Sequence, residues 1–277
     1  MSFKRTTHLV VPAGEAARRL GVSPVTIQRW ANQGLIAIER TAGGHRRIPL
    51  AEVLRLLASS RPIPNGPIAD WVTTLMTGNS DRILAALCEA RNRGANWAAV
   101  ADDVAAALSE IGRTWEVGEC TVFEEHLASE GLRRAAIRCV LAMPQRADAP
   151  RAALLTVEGE RHTLGLSLSE MIFVENGWKT IWIGEGPPPN ELEYMIETLK
   201  PDAVAVSASA SHSPATLRPY QRALARLASG YQFRLLLAGG AAWSDVTEAQ
   251  RILSFDELDR WLRSPNNQGS NQASGNR

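Results

Sequence analysis

The sequence predicts a multidomain chain: a basic all-α head, a central four-helix bundle and a C-terminal doubly wound α/β domain. Three observations carry this expectation. Residues 1–61 hold 10 Lys+Arg against 3 Asp+Glu. Residues 68–143 keep Gly and Pro out of long Ala/Leu/Val runs at helical spacing. From Arg151 onward, short aliphatic stretches alternate with amphipathic ones. At 277 residues the chain has room for two or three such cores.

The formal net charge of +1 hides an asymmetry, because the head carries +7 and the remainder −6. A local positive field of that size points to a polyanion as the head's partner. No apolar run reaches the length that spans a bilayer, and "MSFKRTTH" leads into no signal-peptide core. Cys88, Cys120 and Cys139 include no CxxC pair and are too scattered for a disulfide framework, which fits a reducing cytoplasm.

Within the head, "PAGEAARRLGVSPVTIQRWANQGLI" reads as helix-turn-helix. Ala16, Ala17 and Leu20 share one face, Gly21 ends the first helix, and Ser23 caps the second with Pro24 at its first position. Val25, Ile27 and Trp30 are expected to pack inward in part. Thr26, Gln28 and Arg29 then remain for bases or phosphates. "IERTAGGHRRIP" reads as a hairpin that turns at Gly43-Gly44, with His45, Arg46 and Arg47 as a cationic wing. "RPIPNGP" (61–67) is the expected linker. "GVSPVTIQRW", "GLI" and "GGHRR" resemble the winged DNA-binding domain of the MerR superfamily over residues 9–57. That resemblance implies double-stranded operator DNA as partner.

"MPQRADAP" (143–150) closes the helical middle. After it, "RAALLTV", "KTIWIG", "DAVAVSAS" and "RLLLAGG" are expected as parallel strands, which bind ligands at their carboxyl ends. Three of those ends are distinctive: "ERHTLG" (160–165), "VSASAS" (206–211) and "AGG" (238–240). They bring an imidazole, several hydroxyls and open space to one sheet edge. The tail, 264–277, reads as disordered.

These intervals resemble the Rossmann-like cobalamin-binding domain of methionine synthase, the base-off mutases and cobalamin-dependent regulators, over about residues 150–245. The resemblance implies His162 as the lower axial ligand of cobalt, in place of the cofactor's dimethylbenzimidazole. It also implies a channel for the nucleotide tail past Gly165, Ser207, Ser209, Gly239 and Gly240. The family's motif opens with Asp, whose carboxylate orients the histidine; here Glu160 stands in its place, one methylene longer.

In the middle, Trp115 and, ten residues on, Glu125-His126 read by themselves as core tryptophan and solvated charge. Between the two flanking domains they resemble the light-responsive, adenosylcobalamin-binding MerR-type repressors of carotenoid synthesis. In that family a four-helix bundle caps the cofactor's upper face. The resemblance implies Trp115 against the adenosyl group, Glu125 bonded to its sugar or base, and His126 beside it. The best-known branch carries a histidine directly after the tryptophan, which takes the cobalt after photolysis. Glu116 occupies that position here, and a carboxylate is a poorer ligand for low-spin cobalt.

The expectation is therefore a non-enzymatic, cytoplasmic transcriptional regulator, a repressor by resemblance. It would sense adenosylcobalamin and associate with itself as homodimer or homotetramer, so that several heads engage DNA together. Two other readings share these residues. One is a corrinoid carrier for methyl transfer or a mutase component. The other is the same architecture built around haem, another tetrapyrrole or no ligand.

Overall fold

A computed structural model describes residues 10–20, 24–32, 36–40, 46–50, 52–53, 67–241 and 243–264. They fall into two compact units, residues 1–77 with 106–128, and residues 78–105 with 129–277.

The first unit opens with β1 (Val10–Pro12), α1 (Ala13–Leu20), α2 (Pro24–Asn32), β2 (Glu39–Arg40) and β3 (Arg46–Pro49). Glu15 in the first turn of α1 and Arg18 and Arg19 in the last complement its dipole. Ala16, Ala17, Ile27, Trp30, Ile36, Ile48 and Val53 make one buried cluster. Two expectations for the head need correction. It is not all-α, because β1, β3 and β2 form an antiparallel sheet in that order; β1 is three residues long and is created by pairing with a strand far along the chain. Val25 does not pack inward, being 73% exposed. Ile27 and Trp30, three apart, share a helix face, whereas Val25 lies about 200° from Ile27. The expected Ser23 helix cap and Gly43-Gly44 turn fall outside the described residues, as does the tail from 265.

Four helices follow: α3 (Pro67–Met76), α4 (Ser80–Asn92), α5 (Trp97–Glu116) and α6 (Val122–Ala142). The break between the two units falls inside α5 and α6. Asn79 caps α4, its side chain accepting from the Asp81 and Arg82 amides.

The second unit is dominated by a parallel sheet of β4 (Arg151–Thr156), β5 (Lys179–Gly184), β6 (Ala203–Ser207), β7 (Arg234–Ala238) and β8 (Ala249–Arg251), in the order β5-β4-β6-β7-β8. Crossovers run through α7 (Leu164–Glu175), α8 (Leu192–Leu199) and α9 (Pro214–Tyr231), and α10 (Phe255–Arg263) follows β8. Leu154 and Leu155 of β4, like Val204 and Ala205 of β6, are buried, as strands covered on both faces require. Leu192 and Ile196 of α8 join Leu217, Tyr220, Leu224 and Leu227 of α9 in the core of one face, and α7 packs with α10. The first part of α5 is held by polar contacts in this unit. Its Trp97 amide donates to Glu175 at 3.0 Å, and the buried carboxylate of Asp259 accepts from Asn96 at 3.2 Å and Asn176 at 2.8 Å.

Candidate functional site

The sheet order places a topological switch at β4. The chain leaves β4 through α7 to β5 on one side, then returns through α8 to β6 on the other. Loops leaving β4 and β6 diverge there, which opens a crevice at the carboxyl ends of the strands.

Glu160 is the centre of that crevice. Its backbone is fixed by the Thr156 hydroxyl, which donates to the Glu160 carbonyl at 2.6 Å, and by its own amide, which donates to Val157 at 3.1 Å. The side chain is 3% exposed, yet its carboxylate is fully engaged. Oε1 accepts from the His162 amide at 2.8 Å and lies 2.6 Å from His162 Nδ1. Oε2 accepts from the Ser209 amide at 3.0 Å and lies 3.2 Å from His212 Nε2. Burial alone would push this carboxyl up. The Ser209 hydroxyl and amide, with the His162 amide and ring, outweigh burial and hold it at about 2. The added methylene of Glu160 therefore does not prevent it from accepting the imidazole N–H. The His162 side chain is 83% exposed, and commitment of Nδ1 to Glu160 leaves Nε2 for a ligand.

Beside this cluster lies a mainly apolar cavity of about 210 Å³. Gly165, Leu166 and Phe173 of α7, Ser207, Gly239 and Leu236 line it, together with Asp102 and Ala105 of α5. Several polar groups around it are already used by the chain itself. Asp102 accepts from the Phe255 and Asp256 amides at the start of α10 (3.0 and 3.1 Å), and the Ser169 hydroxyl donates to Gly165 at 2.9 Å. The two lining glycines differ. A Cβ on Gly165 would meet no atom within 4 Å, so a side chain there would enter free space. Gly239 has φ +89°, and a Cβ on it would stand 2.3 Å from the Ala208 carbonyl oxygen. Its glycine serves a close backbone approach rather than an open channel. Gly240 is in ordinary contact distance of Ala210, 3.4 Å from a notional Cβ.

Trp115, Glu116, Glu125 and His126 lie in the first unit. Trp115 is 40% exposed, which argues against a purely core tryptophan. Glu116 is exposed at the end of α5. Glu125 and His126 open α6, with His126 Nδ1 2.7 Å from Glu125 Oε2. A capping box sets that start: the Glu124 amide donates to the Thr121 hydroxyl at 3.1 Å, and the Thr121 amide donates to Glu124 at 2.8 Å. The Thr121 amide and hydroxyl, which both donate to the Glu124 carboxylate at 2.8 Å, hold that carboxyl below its ordinary value.

Among the proposed DNA contacts, Thr26, Gln28 and Arg29 lie on α2, with Gln28 exposed. The Arg29 guanidinium donates to the Trp115 carbonyl at 3.3 Å. Arg46 and Arg47 lie on β3, where Arg47 stands opposite Glu39 and Arg46 opposite Arg40. Ser23 and His45 fall outside the described residues.

Sequence reasoning missed His212 and Asp102. A signal existed for His212, one of only five histidines and five residues beyond Ser207. Asp102 offered none, since it reads as one more solvated acid on a helix.

Residues 13–48 match the MerR family regulatory protein profile, and residues 68–138 match a B12 binding domain profile. The HTH-type transcriptional repressor CarH of Myxococcus xanthus is 27% identical over 164 residues, 58% of this chain. The chain spans about half the length of that curated relative, 54%. The monomethylamine corrinoid protein of Methanosarcina barkeri superposes with a TM-score of 0.52 at 15% identity, over 69% of this chain and 94% of that one, a likeness of fold. Among the described residues, no helix is long and apolar enough to cross a membrane.

Proposed function

We propose that this chain, which joins a MerR-family DNA-binding segment to a B12-binding domain, is a transcriptional regulator that senses cobalamin. The observation that carries the reading is the Glu160–His162–Ser209 cluster at the sheet's switch point, beside an apolar cavity. One imidazole holds a metal firmly when the metal brings its other ligands with it, as cobalt in a corrin ring does. The residues fit that group: His162 would offer Nε2, Glu160 would fix its ring, and the space over Gly165 would take the apolar lower base. The experiment is a visible spectrum of the purified protein incubated in the dark with adenosylcobalamin. A base-off spectrum with histidine ligation is expected. His162→Ala should lose it and weaken binding about tenfold; an unchanged spectrum and affinity would remove His162 as ligand.

Adenosylcobalamin is the form favoured here, because the exposed Trp115 and the Glu125–His126 pair suit an adenosyl group. Its cobalt–carbon bond is photolabile, which makes light a signal the bound cofactor supplies. Glu116, in place of a histidine, would leave the cobalt's upper position open to exchange. The output would be repression through a change of oligomeric state, since tethered heads bind DNA more tightly than one. A non-enzymatic role follows from the DNA-binding head, and residence in the cytoplasm from its partner.

On the DNA side, Arg46→Ala and Arg47→Ala should weaken binding across sequences and each shallow the salt dependence by up to about one counterion. Arg29→Ala should instead change sequence preference. Titrations of specific and scrambled duplexes at several salt concentrations check both. Wild-type slopes in the two β3 variants would contradict the wing.

A further inference from the structure

We propose that His212 is a positioning residue for His162, acting through the second oxygen of Glu160; this rests on the cobalamin reading above. The carboxylate of Glu160 stands between two loops. On the β4–α7 side, Oε1 is held by the amide and ring of His162. On the β6–α9 side, Oε2 has the Ser209 amide at 3.0 Å and His212 Nε2 at 3.2 Å. His212 is placed for this by a tight turn, in which its own amide donates to the Ser209 carbonyl at 3.2 Å, and its side chain is only 22% exposed. Two imidazoles thus share one buried carboxylate, one on each oxygen.

That arrangement answers a problem created by the length of glutamate. With one more rotatable bond than aspartate, Glu160 has more ways to swing its carboxylate and carry the His162 ring with it. Donors from a single loop would leave the far oxygen free to turn. Donors from both loops clamp it, and a metal-binding imidazole keeps its orientation only as well as its outer partner does. His212 needs no contact with the cofactor for this role.

The test uses protein labelled with ¹⁵N-histidine and loaded with cob(II)alamin, read by electron paramagnetic resonance. In wild type, a doublet splitting from a protein ¹⁵N is expected. In His212→Leu, part of the signal should revert to the triplet of the cofactor's own ¹⁴N base, and the Kd should rise about tenfold. His212→Gln, which keeps an N–H donor, should restore the doublet. In a Glu160→Asp background, where the carboxylate is too short to bridge both loops, His212→Leu should add no further loss. Should His212→Leu fail to fold, His212→Asn, whose amide falls short of Glu160, carries the same expectation. A full doublet with wild-type Kd in His212→Leu overturns the proposal. A triplet in the wild type would overturn the axial-ligand reading and this proposal with it.

Discussion

Glu160→Gln is expected to lower the unfolding free energy of the cofactor-free protein by about 3 kcal/mol near neutral pH. The folded-state carboxyl titrates at about 2, against an ordinary value of 4.5. Its stabilisation is therefore fully present above about pH 4.5 and is lost as the pH falls toward 2. Glutamine has the same shape but brings an NH₂ group to a pocket lined with donors, leaving some of the Ser209 and His162 N–H groups unpaired. Urea unfolding of wild type and variant between pH 7 and pH 3 checks this. The difference should shrink as the pH drops, because wild type loses what the variant already lacks. A gap that stays constant with pH, or one below about 1 kcal/mol at pH 7, would contradict it.

The second large effect separates the two glycines of the cavity. Gly239→Ala forces an L side chain into φ +89° and sets its Cβ 2.3 Å from the Ala208 oxygen and 2.9 Å from the Ser207 hydroxyl. Backbone strain and steric overlap together should cost about 2–4 kcal/mol in the cofactor-free protein. Gly165→Ala meets nothing and sits in the first turn of α7, so its stability should hold or rise by up to about 1 kcal/mol. The ligand reverses the ranking at Gly165. Gly165→Phe should leave the cofactor-free protein folded while filling the cavity, with corrinoid affinity falling more than about tenfold. Thermal melts paired with cobalamin titrations distinguish the cases. A Gly165→Phe protein that binds cobalamin like wild type would show that the cavity is not the ligand channel.

Much of this molecule was legible from local pattern. Aliphatic runs between amphipathic segments were enough for β4, β6 and β7, because strands buried on both faces must be apolar throughout. They were enough also for β5, which is apolar in sequence although it lies at the sheet edge with Trp182 41% exposed. The helical spacing of 68–143 was enough for α3 to α6. Glu160, His162, Ser207 and Ser209 stood out because small and polar residues directly after an apolar strand have no packing reason to be there. Other parts carried no such mark. β8 is the polar Ala-Gln-Arg, a strand only because β7 offers it a parallel edge. β1 exists through β3, and Val25 depended on which side of α2 the head's core would occupy.

By itself, then, the sequence determined the types and order of most of the elements, and offered the side chains proposed here to bind a metal or a phosphate. Those follow from interactions between residues a few positions apart. The tertiary structure alone decided that Glu160 shares its carboxylate between His162 and His212, 50 residues apart along the chain. It alone gave Gly239 a steric reason distinct from that of Gly165, and set Asp102 at the start of α10. The physical reason is the switch at β4, which brings two loops distant in sequence to one buried carboxylate, a meeting that no local periodicity encodes.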